Sequence, residues 1–166
     1  MKVRNGFVSN SSSSSFIVIF PRAPTSAEDL HELLFGKEHV LFDSYDGDDG
    51  DVCSHILVRS IWDEIQEQET QTEQSATRLT EELASVHSYI DFYARPITST
   101  RETYFTDRVK YYNDILTSVQ KTLTDPKGQK IYVFDYDDSG TMAFLESGEQ
   151  FEHAESKVKA FRISHH

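Results

Sequence analysis

Apolar residues recur along this chain in three different rhythms. Near the start, Phe16, Ile17, Val18, Ile19 and Phe20 form an unbroken run closed by Pro21. Such a run predicts a strand buried on both faces. In the middle, Leu79, Leu83, Val86, Ile90 and Tyr93 recur at spacings of four and three, as do Phe105, Val109, Tyr112, Leu116, Val119 and Leu123. Each set makes one apolar stripe on a helix. Ala94-Arg95-Pro96-Ile97-Thr98 breaks the pattern between them, and Ser99 with Glu102 offers a capping box for the second helix. Two helices so joined predict an antiparallel hairpin over residues 72–124. After the turn Asp125-Pro126-Lys127-Gly128, residues 131–136, 141–145 and 157–163 read as strands, the first two joined through Asp138-Ser139-Gly140.

The remaining segments fit around these. Thr25-Ser26 followed by Glu28 and Asp29 is a helix-start signature, and a helix over 27–35 buries Leu30, Leu33 and Leu34 before Gly36 ends it. Residues 39–42 predict a short second strand, and 43–51 a loop with two glycines and five carboxylates. A further helix is expected from near Asp51, with Val52, Ile56, Ile61, Trp62 and Ile65 on one face. Residues 66–74 are polar enough for a linker or a solvated turn. The expected fold is α+β. An antiparallel sheet of about four to five strands, from the N-terminal strand and the C-terminal 130–166 strands, is covered on one face by the hairpin and one or two further helices. All 166 residues are expected to form a single domain, with 1–15 as a serine-rich arm.

Composition narrows the function classes. The chain has 28 acidic against 16 basic residues, a formal net charge of −12. That field repels phosphates and argues against nonspecific nucleic-acid binding. No apolar run approaches the roughly 20 residues of a membrane span, and the N-terminal serine run replaces the apolar stretch of a signal peptide. A cytoplasmic location and no membrane contact are the expectation. The single cysteine, Cys53, excludes an internal disulfide and reads as a buried thiol.

Few residues suggest chemistry. The acidic loop with Asp46, Asp48 and Asp49 resembles a calcium loop only superficially: counted from Asp46, position six is Asp51 rather than Gly and position twelve is Leu57 rather than Glu. It reads as a solvated loop or a partner contact. Asp135 and Asp137, in Val133-Phe134-Asp135-Tyr136-Asp137-Asp138-Ser139-Gly140-Thr141, resemble the Asp-x-Asp motif of haloacid-dehalogenase phosphatases, whose paired carboxylates work around Mg²⁺. That family places the motif at the start of a large parallel domain, whereas 25 residues follow Thr141, so a polar turn is the preferred reading. His165 and His166 are candidate metal or acid/base groups, with Asp135 and Glu146 as carboxylate partners. Adjacent histidines on a strand point to opposite faces, so one of the two joins a given site. His31, His39, His55, His87 and His153 show no ligand spacing and read as structural or surface residues. No cofactor is expected, with a divalent metal left open.

The two ends carry a resemblance. Arg4-Asn5-Gly6-Phe7-Val8-Ser9-Asn10-Ser11-Ser12-Ser13-Ser14-Ser15-Phe16, with Phe134-Asp135-Tyr136-Asp137-Asp138, Glu146-Ser147-Gly148 and Arg162-Ile163-Ser164-His165-His166, resembles the signatures of a group of small accessory proteins from bacteriophages and bacteria. The likeness covers about 70 residues at the ends and leaves 43–128 unsupported. It implies a phage or phage-derived accessory protein and supplies no activity. It also implies that the serine arm and the histidine tail belong together on the sheet. The serine hydroxyls and amides there either present a polar binding surface or pack as an irregular sheet edge. The leading expectation is non-catalytic binding to a host or phage protein, through the arm (Arg4, Asn5, Phe7, Ser9, Asn10, Ser11, Ser12, Ser13) or the acidic loop. The alternatives are a small metal-assisted or acid/base enzyme using Asp135, Asp137, Glu146 and His165, and a virion or assembly component.

Overall fold

An eight-residue strand in which every position but the first is buried needs partners on both edges and cover on both faces. β1 (Ser13–Phe20) has both. In a computed structural model describing residues 13–42, 52–96, 101–137, 145 and 147–165, β1 lies between β4 (Lys130–Asp137) and β5 (Lys159–His165), antiparallel to each. The register places Phe16 opposite Phe134 and Arg162, and Ser13 opposite Asp137 and His165. The architecture is α+β, as the sequence predicts.

Alternation along β1 feeds two separate cores. Phe16, Val18 and Phe20 point toward α1 (Ala27–Phe35) and α2 (Ser54–Thr70), where they meet Leu30, Leu34, Leu57, Ile61 and Phe134. Ile17 and Ile19 point the other way, under the hairpin of α3 (Thr72–Tyr93) and α4 (Glu102–Thr124), where they meet Val86, Tyr112, Ile115 and Val119. Burying each large apolar side chain contributes roughly 1.5–3 kcal/mol. The helices therefore cover both faces of the sheet, not one as expected, because the central strand is apolar on both.

Among the described residues the antiparallel strands fall in two sheets rather than in one. Among the described residues the main sheet has three strands, and β2 (Leu41–Phe42) pairs only with β3 (Val52–Cys53) in a separate two-stranded ribbon. The expected strand at 141–145 lies outside the described residues except for Leu145, which is buried. Because Val52 and Cys53 form a strand, α2 starts at Ser54 rather than near Asp51. Its buried stripe is Leu57, Val58, Ile61 and Ile65, and Ile56 faces solvent. The polar stretch 66–74 is mostly helical, interrupted at Gln71, where Ser75 Oγ donates to the Gln68 carbonyl across the break. The helix starts divide in the same way. Ser26 caps α1 by accepting from the Asp29 amide, as expected, whereas α4 is preceded by Arg101 without a side-chain cap. Ser99 lies outside the described residues.

Two side chains close the outer edges of the sheet, where unpaired backbone groups would otherwise invite another strand. On β4, Gln68 donates to the Val133 carbonyl at 2.8 Å and accepts from the Val133 amide at 3.0 Å, as a neighbouring strand would. On β5, the Tyr111 hydroxyl donates to the Arg162 carbonyl and accepts from its amide at 3.0 and 2.9 Å. The short α5 (Glu149–Glu152) follows Gly148, whose φ of 81° suits glycine and whose position leaves no room for a side chain. A Cβ there would lie 2.4 Å from Phe16 Cε1. Gly148→Ala should therefore destabilise the protein by about 2–4 kcal/mol in denaturant unfolding, combining left-handed strain with overpacking. A change below about 0.5 kcal/mol, the scale of an ordinary surface substitution, would contradict this packing.

Candidate functional site

One end of the sheet carries polar residues where the rest is apolar, and α3 crosses it. Three α3 side chains reach three successive strands. The Arg78 guanidinium donates to Asp135 on β4, Glu82 accepts from Ser15 on β1, and Tyr89 donates to the Ser164 carbonyl on β5. Helical spacing makes this possible, since positions 78, 82 and 89 lie on one face of α3.

At the centre, Ser15 Oγ is 2.9 Å from Glu82 Oε1 and 2.6 Å from His165 Nε2. His165 Nε2 is 3.6 Å from Glu82 Oε2, which is buried without a hydrogen-bond partner among the described residues. Burial raises the Glu82 pKa above the ordinary glutamate value, against the lowering effects of Ser15 and His165. Two proton arrangements fit. If Ser15 donates its one proton to Glu82, His165 donates Nε2–H to the serine oxygen. If Glu82 takes up a proton, it donates to Ser15, and Nε2 accepts the serine proton. The second order is the one in which histidine could act as a base toward the hydroxyl. Ser15 is only 2% exposed, however, so a bulky substrate meets it only if α3 withdraws.

The predicted residues therefore separate. His165 and Ser15 are brought together, and Asp135 sits one strand away, engaged by Arg78. Asp137 ends β4 on the surface, opposite Ser13. An Asp-x-Asp pair on an antiparallel strand, one member paired with arginine, does not reproduce the phosphatase arrangement. Ser14 and Ser15 are buried, so they form no polar surface; Ser14 Oγ accepts from Arg162 Nε at 3.0 Å. Ser13 is partly buried in the sheet. Arg4, Asn5, Phe7, Ser9, Asn10, Ser11, Ser12, Asp46, Asp48, Asp49, Glu146 and His166 lie outside the described residues.

Beside this row, on the opposite face of β4, Glu64 approaches the Tyr136 hydroxyl. Burial pushes the Glu64 pKa up to about 7, while Arg78 pulls it down.

A second cluster had no signature in the residue spacing. His31 on α1, His39 before β2 and His55 in the first turn of α2 offer ligand atoms within 4.8 Å of one another. The His31 and His55 rings stack with centroids 4.4 Å apart, and His55 Nε2 lies 2.9 Å from His39 Nδ1. The buried Ser54 holds the group: its amide donates to the Val40 carbonyl at 2.8 Å, and its hydroxyl meets His31 Nε2 at 2.8 Å. Burial, then the nearby His55 and His39, lower the His31 pKa and favour the neutral ring. Pairing of Leu41 with Cys53 and Phe42 with Val52, extended two steps, sets His39 against His55. A hairpin closing around 43–51 was the signal that could have found them.

Comparison with protein-family models, curated proteins and solved structures gave no match to this chain. Among the described residues, no helix is long and apolar enough to cross a membrane.

The raised Glu64 pKa has a definite pH signature. A carboxyl that holds its proton longer when folded contributes stability in full below its ordinary range, and that contribution is lost as pH rises through about 7. Glu64→Gln should therefore be more stable than the parent at pH 8, by on the order of 2 kcal/mol, with a smaller difference at pH 5. Equal differences at the two pH values in thermal unfolding would contradict the assignment.

Proposed function

We propose that the protein acts by non-catalytic binding to another protein, as an accessory factor of the phage type, and that the distal end of the α3–α4 hairpin is its contact surface. One observation carries this reading. Among the described residues no hairpin residue beyond Val86 and Tyr112 is buried, yet the hairpin end gathers Phe92, Tyr93, Tyr104 and Phe105 with ring centroids 5.1–6.2 Å apart. Phe92 is 52% and Tyr104 48% exposed. Arg95 lies over the Phe92 ring at 5.8 Å and Arg108 over Tyr104 at 5.2 Å. Arg108 Nε also donates to the Tyr104 hydroxyl, which lowers its pKa. Aromatic and arginine side chains are the types enriched at the energetic centres of protein interfaces.

Charge supports the same reading. From 91 to 108, Asp91, Glu102 and Asp107 balance Arg95, Arg101 and Arg108, while the chain as a whole stands at −12. A locally neutral aromatic end loses less hydration on docking than the acidic surface elsewhere. Two further features agree: the likeness of the chain ends to phage accessory proteins, and an overall charge that repels nucleic acid. The acid/base reading rests on the 2.6 Å contact of Ser15 with His165, and the burial of Ser15 weighs against it. The assembly reading differs in requiring a broad apolar face, and the exposed apolar hairpin residues instead divide between its two ends, with Leu123 at the other.

A photo-crosslinking amino acid placed at position 92, in the cells that make the protein, should yield one discrete protein adduct. The same group at position 123 should not, and Tyr104→Ala should reduce the adduct from position 92 several-fold. Equal labelling from both positions, or no adduct from position 92, would overturn the assignment.

A further inference from the structure

The cluster of His31, His39 and His55 has a geometry that packing alone does not require. Imidazole rings pack poorly on one another when charged, and their neutral forms compete to direct lone pairs into the same space. Three chain segments nonetheless bring these rings together. His31 comes from the middle of α1 and is 7% exposed. His39 and His55, both exposed, face each other across the extension of the β2–β3 ribbon. Ser54, fully buried between them, binds both the Val40 backbone and the His31 ring, fixing the one histidine that cannot turn into solvent.

We propose that His31, His39 and His55 form a three-histidine binding site for a divalent transition metal ion of the Zn²⁺ or Co²⁺ class. Zinc–nitrogen bonds of about 2.0–2.1 Å in a tetrahedral site set the ligand nitrogens about 3.4 Å apart. The donor atoms here lie within 4.8 Å of one another, so closure needs ring movements on the order of 1 Å. The two exposed rings are free to make them. The Ser54 hydroxyl then plays the part of the outer partner that orients a ligating histidine. An all-imidazole donor set suits Zn²⁺, Co²⁺, Ni²⁺ or Cu²⁺ and disfavours Mg²⁺ and Ca²⁺, which take oxygen ligands. The exposure of His39 and His55 leaves the fourth position open to water or to a donor from a partner. Glu28, whose pKa is lowered by hydrogen bonds to its own backbone amide and to Ser26 and then by nearby His55, adds negative charge near the site. Binding would clamp α1, the 38–42 segment and α2 together, independently of the hairpin end.

The test is titration of the metal-free full chain with Zn²⁺ by calorimetry, and with Co²⁺ by visible absorption. One equivalent should bind, with the intense visible bands of four-coordinate Co²⁺, and excess Mg²⁺ should not compete. His39→Ala/His55→Ala, two changes at exposed positions, should weaken binding roughly tenfold or more while leaving the circular dichroism spectrum unchanged. His87→Ala, at an exposed histidine elsewhere, should bind as the parent does. Undiminished affinity in the double variant would overturn the proposal. So would loss of binding in His165→Ala with the double variant intact, or no binding by the parent at neutral pH.

Discussion

Everything in this molecule depends on a central strand that is apolar on both sides. β1 gives Phe16, Val18 and Phe20 to one core and Ile17 and Ile19 to another. Neither core closes without it: α1 and α2 pack on one of its faces and the hairpin on the other. Its neighbours come from the far end of the chain, so the N-terminal strand is bound between segments more than a hundred residues away. Capping of the outer strands by Gln68 and Tyr111 follows from the same constraint. A three-stranded sheet has two edges for one centre, and each exposed backbone group is an opening for another strand.

Where the apolar run stops, the same alternation places Ser14 and Ser15 on opposite faces, and the surroundings change from apolar to polar. Ser14 is met by Arg162 and Ser15 by Glu82 and His165. A buried serine hydroxyl needs partners: β5 supplies Arg162 and His165, and α3 supplies Glu82 from the face its periodicity turns toward the sheet. The resulting contact between serine and histidine is a proton-sharing pair with a buried carboxyl. In this structure it closes the end of the core. It also joins the two ends of the described chain, because residues 13–15 and 163–165 are partners in one ladder.

Local rhythm made much of this legible. The five-residue apolar run, the two 3.6-period stripes and the Ser26 cap correspond to β1, the α3–α4 hairpin and the start of α1. The start of α2 was misread because Val52 and Cys53 are compatible with either a helix or a strand. Only pairing with Leu41 and Phe42 decides between them, and that contact is nonlocal. Cover on both faces is implicit in the run at 16–20, whereas the segregation of helical and strand segments along the chain suggests the one-sided arrangement. Of the sites, His165 was legible as a candidate, whereas Glu82 looked like any charged residue of an amphipathic helix. His31, His39 and His55, spaced by 8 and 16 residues, follow no period. They meet only because the β2–β3 ribbon turns the chain back beside α1.

The hairpin is unevenly supported. Val86, Tyr112, Ile115 and Val119 are anchored on β1, whereas the aromatic end packs mainly on itself. Stability should therefore fall from the strand outward, and amide hydrogen exchange resolved by residue measures that gradient directly. If β1 is the shared wall of both cores, the amides of Ile17 to Phe20 exchange slowest of all, at rates set by global unfolding. Those of Tyr89 to Tyr93 then exchange through local opening, orders of magnitude faster. Equal protection of the hairpin end and β1, or early exchange of β1 while the hairpin stays closed, would contradict the account.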